Sequence, residues 1–256
     1  MTRREILIGG LSIRYHDAGE GPPVVFVHGA GATARLWHRQ LGALSKSFRV
    51  LAPDLPGFGG SGRSPDIKGV RDYAGFLARF MDALGLKRAS LVGSSMGGWA
   101  ACWFAREFPE RLDRLVLISP AGLYLPDDPP MPVSGVIEEL RRAYSGPAEA
   151  PAASGVRPND ELLNGIDTLL CLENAGGFTP DLGGRLSGIT ARTLIVWGSE
   201  DRVIPVSYAD EFARRIPGSR LAVLDGAGHL PYIDSPESVT GLLAGFLAPP
   251  PPDPPA

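Results

Sequence analysis

Apolar residues recur along this chain as short unbroken runs, separated by stretches with helical periodicity. Val24-Val25-Phe26-Val27, Val50-Leu51-Ala52, Ser90-Leu91-Val92, Leu115-Val116-Leu117-Ile118, Leu194-Ile195-Val196-Trp197 and Leu221-Ala222-Val223-Leu224 show no polar alternation. Runs of this kind suit strands covered on both faces, as in a parallel sheet. Between them, Val70, Ala74, Leu77, Met81 and Leu84 advance by fours and threes, laying one apolar stripe along a helix. Tyr208, Phe212 and Ile216 repeat at fours, behind a Ser207-to-Asp210 sequence that resembles a capping box. Ser235-Pro236 reads as an N-cap with proline at the first helical position, opening a helix through Val239, Leu243 and Phe246. Strands alternating with helices predict an α/β fold: a mostly parallel sheet flanked by helices. Glu5 to Tyr15 alternates about Gly9-Gly10, which predicts an antiparallel hairpin at the sheet edge. No longer period repeats, which excludes solenoids and propellers.

One region breaks the rhythm. Pro120 to Pro158 holds eight of the 25 prolines, and the chain as far as Gly188 offers helical fragments (136–144 and 161–172) but no strand. Residues 123–188 are therefore expected to form a helical cap inserted into a core made by residues 1–122 and 189–248. A long surface connection is the alternative. Residues 249–256 carry six prolines and no large apolar side chain, and are expected to be a tail that does not pack.

Composition narrows the partners. The 44% apolar and 21% charged residues are ordinary for one globular domain, and the net charge of −3 comes without any Lys/Arg cluster interleaved with aromatics. Nucleic acid and anionic membrane are thus not expected partners. The first residues contain no apolar stretch long enough for a signal peptide or a spanning helix. Cys102 and Cys171 are far apart and lack metal spacing, so they read as reduced thiols of a cytoplasmic protein. His16, His28, His38 and His229 form no ligand pair, and no metal is expected. Oligomeric state is left open.

The chemistry lies at the ends of the predicted strands. Ser95 has Gly93 and Gly97 two positions before and after it, the pattern of a nucleophile on a strained strand-to-helix turn where only the smallest residues fit. Ser94, with Val92 and Met96 at those places, does not fit. After the run ending at Val27, the small residues of His28-Gly29-Ala30-Gly31 leave backbone amides free. The N–H of Ala30, paired with that of Met96, forms a candidate oxyanion hole. His28 itself reads as structural. Asp201 follows the run ending at Trp197, with Glu200 as the competing acid, because sites in open α/β sheets gather at the carboxyl ends of strands. His229 stands in the Gly-rich loop after the last strand. Nucleophile, acid and histidine thus run in the order Ser95, Asp201, His229.

Together, His28-Gly29-Ala30-Gly31, Asp54 to Ser61, Gly93 to Gly98, Gly198-Ser199-Glu200-Asp201 and Gly228-His229 resemble the α/β-hydrolase superfamily over Leu11 to Leu247. The resemblance is to the serine branch of small esterases, enol-lactonases, cofactor-free haloperoxidases and meta-cleavage-product (carbon–carbon) hydrolases. It implies the α/β-hydrolase fold, a Ser95–His229–Asp201 triad, no cofactor, and an acyl-enzyme reaction on a small-molecule ester or lactone. The Asp54–Ser61 stretch is implied to be structural. Dehalogenases and epoxide hydrolases that resemble this branch use Asp as nucleophile, and Ser95 in that place argues against both. The alternative enzyme is a carbon–carbon hydrolase; that family usually carries Asn before the nucleophile and Trp soon after the histidine, where this chain has Ser94 and Leu230-Pro231. A ligand-binding protein on the same fold is the alternative outside catalysis, and ester turnover discriminates it. Phe58, Trp99, Leu123, Tyr124 and Leu230, with Leu125 and Tyr232, are the candidate substrate-binding residues. Trp99 and Trp103, four apart, are also expected to pack against the sheet.

Overall fold

The computed structural model describes residues 2–144 and 160–248; the Pro-rich segment 249–256 and residues 145–159 of the inserted region lie outside them. Eight strands form one sheet: β1 (Thr2–Ile8), β2 (Leu11–Ala18), β3 (Pro23–Val27), β4 (Arg49–Pro53), β5 (Ala89–Ser94), β6 (Leu112–Ile118), β7 (Arg192–Gly198) and β8 (Arg220–Leu224). Their order is β1-β2-β4-β3-β5-β6-β7-β8. β2 runs antiparallel to both β1 and β4, and the remaining neighbours pair in parallel. The expected hairpin is therefore present, with Gly9 and Gly10 both at positive φ in its turn. The helices are α1 (His38–Leu44), α2 (Asp72–Ala83), α3 (Met96–Glu107), α4 (Val133–Tyr144), α5 (Asp160–Asn174), α6 (Ser207–Arg215), the single turn α7 (Pro231–Asp234) and α8 (Pro236–Leu247).

The unbroken apolar runs have a two-sided explanation. Successive side chains of a strand point to opposite faces. Val25, Val27, Leu91, Leu115, Leu117, Ile195 and Trp197 enter one apolar cluster with residues of α2, α3 and α6. Val24, Phe26, Val92, Val116, Ile118 and Val196 enter another with residues of α1 and α8. Each fully buried aliphatic or aromatic side chain contributes about 1.5–3 kcal/mol, so a polar residue on either face of these strands is costly. The stripe over 70–84 becomes α2, which buries Ala74, Leu77 and Met81. One cap expectation holds and one changes. Ser235 occupies the N-cap of α8 without a side-chain cap bond, and Pro236 follows at the first turn. Ser207 is the first residue of α6 and not its cap, because its hydroxyl donates to Asp128 at 2.6 Å in the inserted region.

The turn between β5 and α3 is a very close crossing of backbones. A Cβ at Gly97 would lie 2.3 Å from the Val27 carbonyl oxygen and 2.5 Å from that of His28. One at Gly93 would lie 2.5 Å from the Gly97 carbonyl oxygen. Only glycine lets these backbones approach so closely. Beside this crossing, the loop after β3 is held from within. The Leu55 amide donates to His28 Nε2 at 2.9 Å, so the ring proton is on Nδ1, which donates to the Gly29 carbonyl at 2.8 Å. Burial holds His28 below the ordinary imidazole range, so it is neutral. Asp54 accepts from the Ala34 amide at 2.8 Å and from the Gly60 amide at 3.0 Å, tying the β4 loop to the same structure. His28 and Asp54 are thus structural, as expected.

Gly97→Ala is expected to destabilise the fold by about 1–3 kcal/mol or more, whereas Gly241→Ala, in open space on α8, is expected to stabilise it by about 0.5–1 kcal/mol. Urea unfolding of both variants checks the pair; equal effects would contradict the crowding at the turn. A second prediction follows from His28. Its folded form resists protonation while the unfolded chain takes up a proton below 6.5, so stability falls as pH drops through and below that value. His28→Asn should be less stable at pH 8 but should flatten the loss between pH 6.5 and 5.5 by up to one proton, about 1.4 kcal/mol per pH unit. Urea titrations across that range measure it, and an unchanged slope would refute the assignment.

Candidate active site

Ser95 follows the last residue of β5 and precedes the first of α3. Its φ of 54° and ψ of −121° are strained for a residue with a side chain, at a cost of about 1–3 kcal/mol. The turn is over-determined by its hydrogen bonds. The Ser95 amide donates to the Ile118 carbonyl at 3.0 Å, and the Ser95 carbonyl accepts from Trp99 at 3.0 Å and Ala121 at 3.1 Å. The result lifts the Ser95 hydroxyl to the mouth of the sheet, while Ser94 is fully buried.

Asp201 and His229 stand on the loops after β7 and β8. Asp201 Oδ1 accepts from the amides of Val203 and Ile204, both at 2.9 Å, which fixes the carboxylate. Its other oxygen, Oδ2, lies 2.8 Å from His229 Nδ1. The carboxylate requires a proton on Nδ1, which leaves Nε2 as the basic nitrogen. Glu200, the competing acid, is exposed and takes no part. The two loops meet because Gly198 has no side chain: a Cβ there would lie 2.2 Å from the carbonyl oxygens of Ala227 and Gly228.

Ser95 and His229 line one cavity of about 390 Å3, together with Ala30 and Met96. Among the described residues, no hydrogen bond joins the Ser95 hydroxyl to the imidazole; catalytic hydrogen bonds often tighten only with substrate. The Met96 amide, in the first turn of α3, has no intrahelical acceptor, and the Ala30 amide has no backbone acceptor among the described residues. A Cβ at Gly29 would lie 3.0 Å from that of Ser95, so the loop carrying Ala30 passes directly beside the candidate nucleophile. The described residues contain no group of His, Cys, Asp and Glu suited to a metal ion.

Three of the candidate substrate-binding residues, Trp99, Leu123 and Leu230, line this cavity, as does Tyr232. Two require correction. Phe58 is fully buried behind the β3 loop, edge-on to His28 at 5.6 Å between ring centroids, and does not reach the cavity. Tyr124 is 56% exposed and points away from it, and Leu125 is also not on the wall. Sequence reasoning missed Met131, Val136, Leu169 and Phe178, which come from the inserted region, and Ile204 from the acid loop. Val136 and Leu169 carried only the helical spacing that ordinary packing also produces, and Met131, Phe178 and Ile204, outside the helices, carried no periodic signal. Trp99 and Trp103 do not simply face the sheet, since both indoles donate to Asp181, at 3.0 and 3.1 Å.

Known proteins are similar to this chain in sequence and fold. A model of the alpha/beta hydrolase family matches residues 24–241. The 2-hydroxy-6-oxo-6-phenylhexa-2,4-dienoate hydrolase of Comamonas testosteroni is 33% identical over 264 aligned residues, 92% of this chain and 91% of that protein. Among solved structures, a serine hydrolase involved in carbazole degradation superposes with a TM-score of 0.81 at 27% identity, covering 96% of this chain and 98% of the other. A thermophilic esterase from Thermogutta terrifontis superposes at 0.77 and 28% identity, again covering 96% and 98%. The family match runs from β3 into α8, across the strands followed by Ser95, Asp201 and His229, and the chain belongs to the alpha/beta hydrolase family.

Proposed function

We propose that the protein cleaves small, largely apolar carboxylic esters or lactones through an acyl-enzyme on Ser95. The observation that carries this reading is the 2.8 Å contact between Asp201 and His229, with His229 and Ser95 on one apolar cavity. His229 Nε2 takes the hydroxyl proton as Ser95 Oγ bonds to the substrate carbonyl carbon, and Asp201 stabilises the imidazolium. The amides of Ala30 and Met96 receive the oxyanion, each such donor supplying roughly 3–4 kcal/mol. As the tetrahedral intermediate collapses, the imidazolium returns the proton to the departing alcohol. Water then repeats the sequence, with His229 as base, and releases the acid. No step calls for a cofactor.

Residues 123–188 act as a cap in this reading. Leu123, Met131, Val136, Leu169 and Phe178 roof the cavity, and an apolar roof that excludes water strengthens each charge interaction beneath it. Among the described residues no helix is long and apolar enough to cross a membrane. The two cysteines are free thiols, which suits a reducing cytoplasm.

A second reading is carbon–carbon bond hydrolysis, favoured by the name of the Comamonas testosteroni relative. Its substrate bears a carboxylate. Glu139, His229 and Tyr232 are the ionisable residues among the described ones on the cavity wall, and no lysine or arginine stands there to receive a carboxylate, which suits a neutral substrate better.

A panel of p-nitrophenyl esters from acetate to decanoate, a lactone and a 2-hydroxy-6-oxodienoate separates the readings. Ester or lactone turnover should exceed dienoate turnover; the reverse order, by about a hundredfold or more, would transfer the site to carbon–carbon cleavage. Ser95→Ala should lower kcat by at least about a thousandfold with the fold retained, and Asp201→Asn by about 10²–10⁴. Unchanged turnover in Ser95→Ala would eliminate the nucleophile.

A further inference from the structure

We propose that Asp181, which does not line the cavity, determines which acyl groups the cavity admits, by holding the indole of Trp99 in its wall. This rests on the reading of Ser95 as the nucleophile. Trp99 stands one helical turn beyond Ser95 on α3, its amide bonded to the Ser95 carbonyl, so a chain attached to Ser95 extends past this indole. Trp99 and Trp103 are each only 3% exposed, and a buried indole N–H needs an acceptor. Both find the same one: Asp181 Oδ1, at 3.0 and 3.1 Å.

The acceptor is itself fixed. The Arg71 guanidinium stacks 4.5 Å from the Trp103 ring centroid and that of Arg185 5.1 Å from it. Arg185 Nε also donates to the Asp181 carbonyl at 3.1 Å, and the Leu182 amide donates to the Gly122 carbonyl at 3.1 Å. Trp103 is therefore the rigid post, and Asp181 transmits its position to Trp99. On its other side Trp99 is wedged against Gly122, where a Cβ would lie 2.6 Å from the indole Cδ1 and 2.6 Å from Leu182 Cδ1. One carboxylate thus joins the returning end of the inserted region to the helix that carries the nucleophile turn. Without it, the Trp99 N–H loses its protein acceptor and the indole is released to turn toward water or another acceptor. That movement reshapes the acyl wall without touching Ser95, His229 or Asp201.

The experiment measures labelling of Ser95 in the full-length protein by alkyl fluorophosphonates of graded chain length, which needs only a nucleophilic serine. In Asp181→Ala the ratio of long-chain to short-chain labelling rates should shift by at least about fivefold, since a single methylene in an apolar pocket is worth about 10-fold or more. Asp181→Asn, which keeps a carbonyl oxygen in place, should restore the wild-type ratio to within about twofold. Trp103→Phe, which removes the other indole bond to Asp181, should shift the ratio in the same direction as Asp181→Ala but by less. Trp99→Phe should shift the ratio, and Asp181→Ala added to it should shift it no further; this pair also serves if Asp181→Ala alone folds poorly. Parallel scaling of all chain lengths in Asp181→Ala, or an unchanged ratio in Trp99→Phe, overturns the proposal. An NMR readout is independent of catalysis: two of the four indole N–H resonances should move in Asp181→Ala and stay near their wild-type positions in Asp181→Asn. Unmoved indole resonances also overturn it. Failure of every probe to label wild-type Ser95, with the indole resonances responding as described, would reject the nucleophile and leave the clamp standing.

Discussion

The close approach of three backbones at the end of β5 is the constraint on which the rest of the site depends. Gly93, Gly97 and the Val27–His28 peptide are packed so tightly that a methyl group at either glycine would overlap a carbonyl oxygen. Ser95, confined between them, adopts a positive φ that costs about 1–3 kcal/mol. The surrounding sheet offsets that cost, because β5 is central and buried on both faces. The strain is retained because it does two things at once: it raises the hydroxyl clear of the strand, and it begins α3 with a free amide at Met96.

The remaining pieces converge because the strands are parallel. In such a sheet the loops following β3, β5, β7 and β8 all emerge along one edge, bringing residues separated by long stretches of chain to one cavity. Each loop is then stiffened by polar groups that have no part in the chemistry. His28 and Asp54 bind backbone around the Ala30 loop, and the Val203 and Ile204 amides orient Asp201. The neutral state of His28 follows from burial, and its single ring proton sets the direction of both its hydrogen bonds. Polar groups positioned in this way need little reorganisation when charge develops beside them.

The inserted region contributes differently. The core carries Ser95, Asp201 and His229, whereas Met131, Val136, Leu169 and Phe178 supply apolar surface to the cavity that Ser95 and His229 line. In the proposed reading, substrate preference depends on how that region is attached. Asp181 is one such attachment, joined to buried indoles on α3, and Thr168 is another, its hydroxyl donating to the Gly57 carbonyl at 2.6 Å. A scaffold divided in this manner can keep its reaction while its substrates diverge.

Much of this was legible in the sequence. Unbroken apolar runs identified the two-sided strands, the Gly-x-Ser-x-Gly spacing singled out Ser95 over Ser94, and the chain order placed Asp201 and His229 after the final strands. These features are local: they depend on side-chain periodicity and on where a Cβ has no room. α1 escaped notice because seven residues hold too little of an apolar stripe to register. The wall of the cavity was decided by tertiary structure alone. Phe58 and Tyr124 lie near the motifs in sequence yet pack elsewhere, while Phe178 and Asp181, distant in sequence, meet Trp99. Hydrophobicity determines that a side chain is buried, but the direction it faces and the partner it meets depend on how the elements dock.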